Sequence, residues 1–190
     1  MKEQIEAQLR EHVKVAEDLL ASQSDVIVQM AEMLIDCLRG GGKVLLCGNG
    51  GSAADAQHIA AELVGKLARD RRALPAIALN TNTSILTAVA NDFGFQHVFA
   101  RQLEALASKG DVLIGLSTSG DAANVLEAMD AARTLGCRRI AFTGAVGGRL
   151  KSTADLCLRV PSDKTWRIQE AHITVGHILC DLVEKAACGE

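Results

Sequence analysis

The chain has 190 residues, 48% of them hydrophobic and 23% charged, with a formal net charge of −3. This is folded globular composition, long enough for a full core without staples, and we expect one domain over 1–190 with 1–39 as a helical extension packed on it. The absence of a basic excess argues against a nucleic-acid partner, and no apolar run is long enough to cross a membrane.

The opening "MKEQIEAQLREHVKV" shows no secretory pattern, so the cytoplasm is the expected location. The six cysteines, at 37, 47, 137, 157, 180 and 188, form no CxxC pair, and most lie in apolar runs. Free, mostly buried thiols are expected, with no structural zinc–thiolate site.

Residues 2–39 contain no glycine or proline, and apolar residues recur at helical spacing. We read two helices forming a hairpin, broken near "ASQSD" with Ser24 capping the second, and ended by Gly40, Gly41 and Gly42. "KVLLCG" is then a short buried strand. A helix follows over about Ser52 to Leu67. The next strand is "PAIAL" (75–79), followed by two short helices around 84–91 and 96–107. "DVLIGL" is a third strand with "AANVLEAMDAARTLG" as its helix, "RRIAFTG" a fourth and "DLCLRV" a fifth, stopped by Pro161. A long helix over about 165–187 closes the chain. Buried strands alternating with helices specify an α/β fold: a doubly wound, flavodoxin-like five-stranded parallel sheet with helices on both faces.

In such sheets ligands sit beyond the carboxyl ends of the strands. Two unusual linkers fall at that edge. Ser117, Thr118, Ser119 and Gly120 separate the third strand from its helix, and Asn49, Gly50, Gly51 and Ser52 follow the first. Hydroxyls, glycines and a helix N-terminus make a neutral set of donors suited to an anion. Neither loop fits GxGxxG or GxxxxGK[ST], which disfavours dinucleotides and nucleoside triphosphates. One such loop would read as ordinary capping. Two at the same edge favour a small phosphorylated ligand.

His58 and Glu62 lie four apart and share a helix face. Taken alone, they read as a solvated pair. In the last helix the apolar stripe is Ile168, Ala171, Val175, Ile178, Leu179 and Leu182. Gln169 and His177 lie off it, about 80° apart, whereas His172 is about 140° from His177 and is not expected to share a site with it. His12 and His97 read as surface residues.

Together, "CGNGGSAADAQHIAAEL", "ANDFGF", "GDVLIGLSTSG", "TGAVGG" and "RIQEAH…H" resemble the sugar isomerase (SIS) domain, and within it the phosphoheptose isomerase family, over nearly the whole chain. The resemblance implies conversion of D-sedoheptulose 7-phosphate to D-glycero-D-manno-heptose 7-phosphate for bacterial heptose and lipopolysaccharide biosynthesis, by a cytoplasmic homotetramer with active sites between subunits. It assigns the phosphate to Ser52, Ser117, Thr118 and Ser119, and the sugar to Asn49, Gly50, Gly51, Asn91, Asp92, Gln169 and Glu62. Glu62 and His177 become the acid–base pair. One Zn2+ per subunit would be held by His58, Glu62, Gln169 and His177, a ligand set compatible with zinc.

Two positions depart from the family pattern. Ala122 replaces the hydroxyl that usually follows "STSG", and Trp166 stands where a small or polar residue is expected. The alternatives are a non-catalytic SIS module that binds the replication initiator, and an isomerase of another sugar phosphate. Retention of both Glu62 and His177 argues against the first.

Overall fold

The computed structural model describes residues 1–189. Its first element, α1, is one helix over Lys2–Arg39, not the expected hairpin. The serines that suggested a break serve the helix instead. Ser22 Oγ donates to Asp18 O (2.7 Å) and Ser24 Oγ to Leu20 O (2.6 Å), each the carbonyl one turn back. With no glycine or proline before Gly40, nothing ends the helix. Its buried side chains begin at Val15 and run through Leu19, Ile27, Met30, Leu34 and Leu38, while residues 1–10 are exposed.

The sheet comprises β1 (Val44–Gly48), β2 (Ala76–Ala78), β3 (Val112–Leu116), β4 (Arg138–Thr143) and β5 (Leu156–Arg159), in order β2-β1-β3-β4-β5. All pairs are parallel, so the doubly wound α/β expectation holds. The crossovers are α2 (Gly51–Val64), α3 (Thr83–Phe93), α4 (Ala100–Leu106), α5 (Ala123–Thr134) and α6 (Leu150–Thr153), and α7 (Thr165–Cys188) closes the chain. The four-residue α6 was not anticipated; it is too short to show a period. Alternate strand residues feed two cores. Leu46, Ile114 and Phe142 pack with Met30, Leu34, Leu63, Val175 and Leu179. Leu45, Leu113 and Ala141 pack with Leu79, Phe99, Leu103 and Met129 on the other face.

The α7 stripe is only partly as read. Ile168, Ala171, Val175 and Leu179 are buried, but Ile178 is exposed, and His172, Gly176, Cys180, Val183 and Glu184 are buried as well. Helix α7 packs against both α1 and α2 and so needs more than one apolar stripe. His172 is enclosed, with Nε2 3.2 Å from Thr143 O, and burial pushes its pKa down to about 4, so it sits neutral in the core. His12 is not an isolated surface residue: its Nδ1 lies 2.8 Å from Glu170 Oε2. The cysteines form no disulfide; Cys37, Cys47, Cys137 and Cys180 are buried.

The chain enters β2 to one side of β1 and β3 to the other, which makes the β1–β3 boundary the switch point of the sheet. Gly48 and Leu116 are paired in register, so the two linkers leave the sheet side by side.

Candidate active site

A cavity of about 380 Å³ opens between these linkers, lined by Asn49, Gly50, Gly51, Ser52, Leu116, Ser117, Thr118, Ser119, Ala122, Thr165 and Gln169. None of these side chains is charged, while hydroxyls, carboxamides and the start of α2 face it. Such a set binds an anion through donors. Each loop is held in shape by local contacts. Gly50 turns the chain into α2 with φ +55°, a conformation that favours glycine. At Gly51 a Cβ would lie 2.5 Å from Gln169 Nε2, so an added methyl would push that carboxamide out of its present place. Asn49 and the buried Asn124 exchange two side-chain hydrogen bonds of 2.9 Å, which orients the first loop from α5. Ser117 Oγ and Ser119 Oγ lie 3.3 Å apart, and Asp121 N–H donates to Ser119 Oγ (3.2 Å).

Further along α2 and α7 a second cluster forms. His58 Nε2 lies 3.1 Å from Glu62 Oε1 and 3.3 Å from His177 Nε2. One ligand atom from each of the three side chains falls within 4.8 Å of the other two. Two imidazole nitrogens and a carboxylate oxygen thus converge with at most one proton per nitrogen. A cation resolves that crowding. Tetrahedral bonds of about 2.0–2.1 Å separate neighbouring ligand atoms by about 3.3 Å, close to the two spacings from His58 Nε2. The three side chains fit a metal ion.

Gln169 is placed differently. Its carboxamide covers Gly51, and eight residues of α7, about 12 Å of rise, separate it from His177. Within one chain it lines the donor-rich cavity and not the His–Glu–His cluster. Asn91 and Asp92 are exposed near the end of α3, bonded to each other (2.8 Å) and outside the cavity lining. Trp166 is exposed, and it is its neighbour Thr165 that lines the cavity.

Two contributors escaped the sequence reading, Thr165 in the lining and Asn124 behind Asn49, as did Asp55 close to His58. Asp55 follows Gly51 by one turn on α2. Burial raises its carboxyl to about 6, against the opposing pull of His58, and its Oδ2 has no hydrogen-bond partner among the described residues. The spacing of Gly51, Asp55, His58 and Glu62 along one helix face was the available signal.

A SIS-domain family model matches residues 9–144. With the parallel sheet and the serine-rich loop at its switch point, this defines the class: the chain belongs to the SIS-domain family. The phosphoheptose isomerase of Geobacter sp. (strain M21) is 55% identical over 185 residues, covering 97% of this chain and 96% of that protein. Among solved structures, the phosphoheptose isomerase of Neisseria gonorrhoeae superposes with a TM-score of 0.92 at 45% identity, covering 97% of this chain and 98% of that one. The phosphoheptose isomerase from Francisella tularensis gives 0.93 at 38% identity, covering 96% and 97%. The chain is therefore a member of the phosphoheptose isomerase family.

Proposed function

We propose that the protein interconverts D-sedoheptulose 7-phosphate and D-glycero-D-manno-heptose 7-phosphate in the cytoplasm, supplying heptose for lipopolysaccharide and related glycans. The observation that carries this reading is the pairing of an uncharged, donor-lined cavity with a carboxylate–imidazole cluster in a chain 55% identical to a phosphoheptose isomerase. Ser52, Ser117, Thr118 and Ser119 hold the phosphate. Asn49, Gly50, Gly51 and Gln169 line the sugar, with Asn91 and Asp92 on its hydroxyls. Glu62 takes the proton from one of C1 and C2 and returns it to the other through an enediol, and His177 moves the proton on the oxygens. A carboxylate suits the first task because it accepts and releases a proton without changing position. Purified protein given sedoheptulose 7-phosphate in deuterated water is expected to exchange solvent deuterium into C1 or C2. Phosphosugar binding without exchange would leave a non-catalytic module.

Zinc at His58, Glu62 and His177 would polarise the substrate carbonyl and the enediolate. The fourth expected ligand, Gln169, lies about 12 Å of helix rise from His177 in its own chain, so a neighbouring subunit is its natural source. The exposure of α3 supports such sharing. This helix buries no side chain, and Phe93 at its end and Phe95 after it are more than half exposed. A second copy would cover that surface and bring Asn91 and Asp92 to a neighbour's cavity. We therefore assign a homotetramer with shared sites. Light scattering with metal analysis on the same peak is expected to find four subunits and about one zinc per subunit, and His58→Ala is expected to lose the zinc. A monomer, or zinc fully retained by that variant, would refute this arrangement.

A further inference from the structure

The loop over 144–149 grips the phosphate loop from outside. Gly144 N–H donates to Thr118 O and Leu150 N–H to Gly120 O, both at 3.0 Å. Gly120, with φ +73°, is packed so closely that a Cβ there would lie 2.1 Å from Gly147 O. These contacts turn two carbonyls of the loop away from the cavity, where they would repel an anion. Asp121 follows the loop directly, with its backbone N–H on Ser119 Oγ, so a carboxylate stands one residue past a cavity whose own lining carries no charge. Its Oδ1 accepts the Arg149 backbone N–H and the Arg149 Nε–H, both at 3.1 Å. The backbone donor first, and then the guanidinium, hold the Asp121 carboxyl below the usual range, so it remains ionised at neutral pH. Position 122 adds no compensating hydroxyl, being alanine.

We propose that Arg149 is a positioning and charge-masking residue for substrate binding: it screens the Asp121 carboxylate from the substrate phosphate and fixes the Ser117–Gly120 loop on the 144–149 loop. The inference rests on the phosphate reading of the cavity. Without Arg149, Asp121 presents an uncompensated charge to an incoming dianion. Without both, the site is neutral again. That sign pattern separates charge masking from a merely structural ion pair, which either single replacement would break equally.

The test is a double-mutant cycle on sedoheptulose 7-phosphate turnover, at low ionic strength and again with added salt. Arg149→Gln is expected to raise KM about two- to fivefold, the range of exposed charge pairs, and to alter KM more than kcat. Salt should shrink the effect. Asp121→Asn is expected to leave KM unchanged or lower it, and Asp121→Asn combined with Arg149→Gln to return KM toward the wild-type value. Arg149→Gln without a KM effect, Asp121→Asn as harmful as Arg149→Gln, or no recovery in the double variant would each overturn the proposal. Wild-type protein that binds dephosphorylated sedoheptulose as tightly as the 7-phosphate would instead refute the phosphate reading itself.

Discussion

Glu62→Gln is expected to reduce isomerase turnover by about 10²–10⁴-fold, the usual loss when a general base is removed. This corresponds to about 3–5 kcal/mol of transition-state stabilisation. The carboxamide keeps the size of the side chain and can still meet His58 Nε2, which lies 3.1 Å from Glu62 Oε1. What it cannot do is accept and return a carbon proton. The cavity between the two loops, where we propose the phosphate binds, does not include Glu62, so substrate affinity measured by calorimetry should change far less than turnover. Glu62 also belongs to the cluster that fits a metal ion. Zinc content measured on the same sample therefore separates a lost base from a lost ion. If Glu62→Gln turns over near the wild-type rate, the base lies elsewhere.

The sheet and the two glycine–hydroxyl loops at its edge could be read in the sequence because each obeys a local rule. Buried strands alternate with helices, and glycine–hydroxyl runs interrupt them at the strand ends. The hairpin reading of α1 failed for a physical reason: serine marks a helix start when its backbone groups need capping, but Ser22 and Ser24 bond back to carbonyls of a continuous helix. Helical counting turned Gln169 and His177 off the apolar stripe and sets them about 12 Å apart along the axis, but it does not say which part of α2 each one meets. It therefore could not show that Gln169 lies at the cavity and His177 at the cluster. The support of the site was not legible at all. Asn124 orients Asn49 from 75 residues away, and Arg149 meets Asp121 across 28 residues. No spacing rule connects such partners; only the closed sheet brings them together.

The largest stability effect is expected at Glu184, which the sequence showed only as a charged residue near the end of the last helix. It is wholly buried. Its carboxylate accepts backbone N–H bonds from Leu67 (3.1 Å), Ala68 (2.9 Å) and Arg69 (2.9 Å). Arg71 Nε lies 3.2 Å from Oε1, with the Arg71 side chain 4% exposed. Burial alone would raise the Glu184 carboxyl, but the three N–H donors, and then Arg71, outweigh it and lower the pKa from 4.5. Because the folded value is depressed, the stabilisation is present above about 4.5 and is lost as pH falls through the lowered value. Arg71 in turn donates to the carbonyls of Glu62 (2.9 Å), Leu63 (2.9 Å) and Gly65 (3.2 Å), closing the C-terminal end of α2. Glu184→Gln keeps the shape, leaves the Arg71 guanidinium buried without its counter-charge, and turns an amide N–H toward other donors. Breaking a buried pair in this way costs about 3–5 kcal/mol, or roughly 10 °C in Tm for a chain of this size. Removing both partners, as Arg71→Met with Glu184→Leu, is not expected to restore stability, because the three loop N–H groups and the α2 carbonyls would then lack partners. The frayed helix end carries Glu62, so turnover of Glu184→Gln should fall below the wild-type rate even at temperatures where the variant is folded. Urea unfolding read beside the isomerase assay tests both effects. A Glu184→Gln variant within about 1 kcal/mol of wild type, or fully rescued by the double replacement, would show that the loop is held by packing and not by this carboxylate.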